Sequence, residues 1–352
     1  MRSSLLVALL ASTGCHALLG IDDFATVDAG PGSDAATDTF VADAQLCFGT
    51  LKSICLTQPP LGTVIIAGTL DTSTDPRCVV MTQAAGLPEL CVIPAGTISI
   101  ENTLVIGSRA LVFIAAGSIT VNGSIDASSI RGGRIGAAAV ATPCSAAQNG
   151  MQGEAGGGAG GSFGTMGAGG GDGGSGGGGA AGGVAGAVAP LTAIRGGCVG
   201  GLGGKGGGPS EGAIGPSGGA LVFYAGSQIA IVAAGSVYAS GAGGGGGAVV
   251  GTKGGGGGGG SGGLVVLHAP SIQILGTVAA NGGGGGGGGD GSAGQPGADG
   301  TTSTYNAAAT GGPPQGAQQG GAGGRGSAVL IDPALGGSPP LGGDGGGGGG
   351  GG

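Results

Sequence analysis

The chain has 352 residues, 100 of them Gly, with a charged fraction of only 8% and no Trp. A formal net charge of −8, with no basic cluster and no interleaving of basic and aromatic side chains, excludes a nucleic-acid surface and a polybasic membrane patch. Glycine has no side chain to bury, so the 40% hydrophobic content must form a small aliphatic core built by repetition.

The first 14 residues read as a secretory signal. Arg2 precedes the apolar run Leu5–Ala11, and the small residues Ser12-Thr13-Gly14 lead into Cys15. That run is far short of the roughly 20 apolar residues a transmembrane helix requires. The ending resembles the bacterial lipobox, with Ser12 where an aliphatic residue is usual. The resemblance implies that Cys15 carries the lipid and that the signal is cut before it. His16 rather than Asp after that cysteine resembles the outer-membrane sorting pattern. Residues 15–45 follow as lipid anchor and disordered acidic linker; Asp28, Asp34, Asp38 and Asp43 stand there with no Lys or Arg.

Setting Cys15 aside leaves Cys47, Cys55, Cys78, Cys91, Cys144 and Cys198, an even number suited to an oxidising compartment. Of the 15 possible pairings, nearest-neighbour pairing is the simplest: Cys47–Cys55, Cys78–Cys91 and Cys144–Cys198. The first two staple an N-terminal cap over residues 46–90. The third closes a long excursion and contributes about 4 kcal/mol in the chain-entropy view.

From 91 to 335 one grammar recurs. The copies are CVIPAGTISIENTLVIGS (91–108), ALVFIAAGSITVNGSIDAS (110–128), ALVFYAGSQIAIVAAGSVYAS (220–240) and LVVLHAPSIQILGTVAAN (264–281). A truncated copy starts at Ala328, and TVIIAGTLDTS near Thr63 is a candidate earlier one. Each unit reads as three short strands: an apolar run, an Ile-x-Ile or Ile-x-Val pair, a glycine turn and a Ser/Thr-Ile/Val-x-Ala strand. Alternation puts Ile119 with Val121, Ile229 with Ile231 and Ile272 with Ile274 on one face. Ile125, Val237 and Val278 form one further column; Ala127, Ala239 and Ala280 form the next. The fold class expected is all-β, a short parallel β-helix with long Gly-rich loop insertions; an antiparallel β-sandwich is the alternative.

The insertions span 129–217, 241–261 and 282–326, and 336–352 reads as a disordered poly-Gly tail. Runs such as Gly254–Gly260 and Gly282–Gly289 fit either flexible coil or extended polyglycine-II packing with three residues per turn. Collagen is excluded, because a triplet persists only at Gly291, Gly294, Gly297 and Gly300.

No catalytic, cofactor or metal site emerges. No C-x-x-C occurs, and His16 and His268 are the only histidines. Lys205 and Lys253 are each followed by Gly, so no phosphate loop forms. Gly285–Asp290 opens like a calcium β-roll repeat, but Ser292 replaces its large apolar residue. His268, Glu101, Asp126 and Asp332 read as solvated turn residues.

The segments GGALVFYAGSQIAIVAAGSVYASGAGGGG, SGGLVVLHAPSIQILGTVAANGGGG and GGAGGRGSAVLIDP resemble the PGRS-type glycine-rich bacterial surface proteins over about 110–352. The PE domain of their best-known members is missing, so no host-related role carries over. CHALLGIDDF resembles the start of lipoproteins from gliding, predatory soil bacteria. The expectation is a non-enzymatic, lipid-anchored envelope protein with a structural or adhesive role. Its partners would be the membrane, surface polysaccharide or other envelope proteins, without nucleic acid. A divergent carbohydrate-active β-helix enzyme, of lyase or hydrolase type, is the alternative. A water- or ice-facing protein would show Thr-x-Thr ladders within its strands, and none is visible.

Overall fold

The computed structural model describes residues 46–139, 144–153, 155–174, 181–188, 190–206, 211–247, 253–300, 306–316, 320–329, 331–339 and 345–352. Cys15 and the linker expected at 15–45 lie outside the described residues. The described regular elements are all strands.

β1 (Leu46–Phe48) and β2 (Ile54–Leu56) form an antiparallel hairpin. Next come β3 (Thr63–Asp71), β4 (Val79–Met81), β5 (Leu90–Ala95) and β6 (Thr97–Ile106). Two complete repeats then follow: β7 (Ala110–Ala115), β8 (Ser118–Val121) and β9 (Ser124–Asp126); then β10 (Ala220–Ala225), β11 (Gln228–Ile231) and β12 (Ser236–Tyr238). β13 (Lys253–Gly254) precedes a third, β14 (Leu264–His268), β15 (Ser271–Ile274) and β16 (Thr277–Ala279). The short β17 (Gly289–Asp290) and β18 (Gln315–Gly316) close the series.

Equivalent strands of successive repeats pair in parallel. A five-stranded sheet runs β14-β10-β7-β5-β4, with only β4 antiparallel to its neighbour. An eight-stranded parallel sheet runs β15-β11-β8-β6-β9-β12-β16, with β3 also on β6. These parallel ladders overturn the antiparallel sandwich. Register puts like on like: Leu111 pairs Leu221, Phe113 pairs Phe223, and Ile119 pairs Ile229. Stacking identical side chains fills the core without a size mismatch. The inward residues Ile98, Ile100, Phe113, Ile119, Phe223 and Ile229 share one core, and the Phe113 and Phe223 rings lie 5.5 Å apart. The five-stranded sheet also buries its other face. Val92, Val112, Val222 and Tyr224 pack there with Ile54 of the hairpin and Ile194. A strand buried on both faces reads as a continuous apolar run, which is the pattern of ALVFIA and ALVFYA.

Three sequence expectations are corrected. The first repeat forms two strands, not three, because Glu101-Asn102 stands where the next repeat has the turn Asn122-Gly123, and β6 runs straight through. Thr63–Asp71 is not part of a separate cap over 46–90 but a strand of the large sheet. The truncated copy at Ala328 makes only an isolated bridge, Ala328 to Ile331, and leaves Val329 exposed.

The glycine segments belong to the same compact unit as the sheets and have few strands but extensive order. Gly255 to Gly260 donate in turn to the carbonyls of Gly204, Gly346, Gly245, Gly201, Gly349 and Ala242, at 2.8–2.9 Å. Every third residue therefore returns to the same neighbouring segment, as a three-residue-per-turn extended helix requires. Their own carbonyls accept from Gly212 and Gly215, Gly158 and Gly161, and Gly286 and Gly283, so the segment has six bonded neighbours. Gly283 to Gly288 repeat the pattern, donating to Gly260, Ala298, Gly324, Gly257, Gln295 and Gly321. This is the polyglycine-II arrangement; flexible coil does not describe these residues. Of the tail read as disordered, Gly345–Gly352 are interior as well. Gly346 to Gly351 donate to Ala155, Gly337, Gly286, Gly158, Ala334 and Gly283, and Gly345–Gly352 are buried. Low hydrophobicity argued for disorder, but here backbone hydrogen bonds rather than apolar burial hold the segment.

Hydroxyls link successive repeats to one another where each repeat ends. Ser240 N donates to Ser128 Oγ at 2.8 Å, and Asn281 N donates to Ser240 Oγ at 3.2 Å. All three residues are buried.

Candidate binding face

The alternation that sends Ile119, Val121, Ile229 and Ile231 inward turns the residues between them outward on the eight-stranded sheet. One outward column begins with Thr63 paired to Thr97 and continues with Ser118, Gln228 and Ser271 paired in turn. The next column is Ile65, Ser99, Thr120, Ala230 and Gln273. A third holds Ser124, Ser236 and Thr277. Successive members sit one strand spacing apart, about 4.8 Å. The result is a face mostly of short hydroxyl and amide groups, interrupted by the exposed Ile65 and by Ala230, with no Lys or Arg in its columns and a packed core behind it.

Neighbouring polar groups on this face restrain one another. Thr63 and Thr97 share a hydroxyl hydrogen bond of 2.8 Å. Asn122 Nδ2 donates to Ser99 Oγ at 2.9 Å and to Glu101 Oε1 at 3.1 Å. Asn102 Oδ1 accepts from the Ser124 amide at 3.0 Å, which ties β6 to the start of β9. Restrained side chains lose less entropy when a ligand orders them.

The polar residues singled out in the sequence are dispersed. Glu101 is held in the Ser99–Asn122 network, while Asp126 is paired with Arg134. His268 meets the Tyr224 ring edge-on, with centroids 5.8 Å apart. Asp332 stands on the glycine body beside a shallow, mostly apolar groove of about 650 Å³, lined by Met166, Val184, Pro333 and Leu335 among others. No hydrogen bond joins any two of these four described residues. Gly285–Gly288, the start of the β-roll-like motif, lies inside the glycine array, and Asp290 pairs across β17 with Lys253 of β13. Among the described residues, no group of three or more His, Cys, Asp or Glu is placed to hold a metal ion.

The disulfides join Cys47 to Cys55, Cys78 to Cys91 and Cys144 to Cys198. Three such bridges suggest an extracytoplasmic protein. No described helix is long and apolar enough to cross a membrane.

Sequence reasoning missed the hydroxyl columns because it sought Thr-x-Thr within one strand, whereas the ladder runs across strands. The signal was the first residue of TISI, SITV, QIAI and SIQI, which becomes a column only once the register is known. Compared with protein-family models, curated proteins and solved structures, the chain matches none.

Proposed function

We propose that this chain is a non-enzymatic, surface-exposed lipoprotein, lipidated at Cys15 and sorted to the outer membrane, that binds envelope or surface polysaccharide through the hydroxyl face of its large sheet. The observation that carries this reading is the set of in-register columns, Thr63/Thr97 with Ser118/Gln228/Ser271 and Ser99/Thr120 with Gln273 beyond the intervening Ala230. A repeating polymer presents its hydroxyls at regular intervals. A flat face with regularly spaced donors and acceptors can meet many of them at once, and avidity then compensates for weak single contacts. The finer fold assigned here is a short parallel β-helix. Its support is that strands of the same order in each repeat pair with their counterparts. The PGRS-like composition of the insertions agrees with surface display.

Co-sedimentation of the purified chain with insoluble uncharged polysaccharides tests the binding role. Thr97→Lys combined with Thr120→Lys, which crowds and charges the face without touching the core, is expected to lower the bound fraction at least about fivefold, roughly 1 kcal/mol. Unchanged binding would remove the face from the function. New reducing or unsaturated ends in the same incubation would replace this reading with that of a carbohydrate-active enzyme. Mass spectrometry of the mature N-terminus, with and without globomycin, tests the anchor at Cys15.

A further inference from the structure

The Cys144–Cys198 bridge carries an unusual neighbour. Arg195, 4% exposed, places Nη1 3.4 Å from Cys144 Sγ and 3.5 Å from Cys198 Sγ. Nη1 also donates to the Gly196 carbonyl at 3.1 Å, and the guanidinium lies 4.7 Å from the centre of the Phe163 ring. The ion pairs seen among the described residues use Arg77, Arg109, Arg134 and Lys205, not Arg195. Burial lowers the Arg195 pKa from its usual range. A buried guanidinium is costly unless negative charge forms beside it. Two disulfide sulfurs are neutral; a thiolate in either position is not.

We propose that Cys144–Cys198 is a thiol-exchange site, attacked at Cys144 by an external thiolate while Arg195 receives the departing Cys198 thiolate. Burial sets the direction of attack. Cys144 is half-buried, whereas Cys198 is 2% exposed and its amide is fixed to Ser261 Oγ at 2.7 Å. The incoming thiolate donates its electron pair to Cys144 Sγ and forms a mixed disulfide. The Cys144–Cys198 bond breaks, and its electron pair stays on Cys198 Sγ, so no proton moves in this step. With a dithiol reductant, the second thiol loses its proton to solvent and attacks its own mixed sulfur. That expels the Cys144 thiolate and leaves the reductant as a cyclic disulfide. A nearby cation lowers a thiol pKa, and a leaving thiol of lower pKa departs faster. Cys78–Cys91 is the matched comparison. Cys78 is half-buried and Cys91 fully buried, and Cys78 Sγ meets the Thr72 carbonyl at 3.8 Å as Cys144 Sγ meets that of Gly197 at 3.8 Å, but among the described residues no guanidinium or ammonium group hydrogen-bonds to either sulfur of this pair.

The test treats the full-length chain with glutathione, then with dithiothreitol, alkylates free thiols and maps the products by mass. The glutathione adduct is expected on Cys144, with Cys78–Cys91 intact under the same conditions. Arg195→Met is expected to slow adduct formation about tenfold or more. It should also raise the pH at which Cys198 of the dithiothreitol-opened chain becomes alkylated, while Arg195→Lys keeps both properties near wild type. An adduct on Cys198, equal opening of Cys78–Cys91, or an Arg195→Met rate equal to wild type would each overturn the proposal. Should Arg195→Met fail to fold, the adduct position and the order of opening in the wild-type chain still decide.

Discussion

At Gly258 the gap between neighbouring backbones is narrower than a methyl group: a Cβ built there would fall on the Ala159 carbonyl oxygen. Gly164 is different, with nothing within 4 Å of its virtual Cβ and no left-handed φ. Gly258→Ala is therefore expected to destabilise the protein by about 1–3 kcal/mol or more through overpacking. Gly164→Ala should be neutral or stabilise by up to about 1 kcal/mol by restricting the unfolded chain. Thermal melts of the two variants check this contrast. Tyr224 makes a second residue-scale case. Gly49, at φ +89°, brings the hairpin so close that a Cβ would strike the phenol ring, and burial pushes the Tyr224 pKa up to about 12. The unfolded chain ionises this phenol first, near pH 10, while the fold favours its neutral form. Its contribution to stability is thus complete below about pH 10 and is lost as the pH rises towards about 12. Melting followed across that window should show a decline that Tyr224→Phe removes.

Strands show the same logic with a different currency. Ile229 and Ile272 hold one column in β11 and β15, yet Ile229 is 0% exposed and Ile272 44%, because among the described residues no further strand pairs beyond β15. Ile229→Ala is expected to cost about 2–5 kcal/mol and Ile272→Ala less than about 1 kcal/mol. Denaturant melts that gave equal losses would show that the last repeat is covered. The repeat grammar made most of these elements legible, since period-two alternation with a glycine turn admits few other readings. It misjudged Ala328, where AVLI has the letters of a strand but its backbone bonds to itself, Ala328 N to Ile331 O and back. Local pattern states what a segment can pair with, and only position supplies the partner edge.

For the molecule as a whole, Gly345–Gly352 form a central segment of the glycine array, bonded to 155–158, 168–171, 256–259, 283–286, 324–327 and 334–337. Deleting 345–352 leaves facing N–H and C=O groups on all six sides without partners. Faster amide exchange throughout those segments is expected, with the sheets keeping their protection. Exchange that stays slow in the array would show that the tail is peripheral. The Gly294/Gly297/Gly300 triplet illustrates a half-legible feature. Its period of three was visible, but it marks an edge strand whose glycines donate to Gly247, Gly244 and Gly241, with Gln295 and Ala298 exposed.

By itself the sequence determined the all-β class, the inward columns and the sites of the long insertions, and made nearest-neighbour pairing the simplest of the cysteine schemes. Each of these follows from local periodicity, or from spacing along the chain. Only the tertiary structure decided that the glycine runs pack into an array, that hydroxyls from distant strands align into one face, and that Arg195 lies against a disulfide. A glycine carries no pattern to announce its neighbours, and its hydrogen bonds can be drawn to any segment. Which segment it meets is settled by where the stacked strands release and recover the chain.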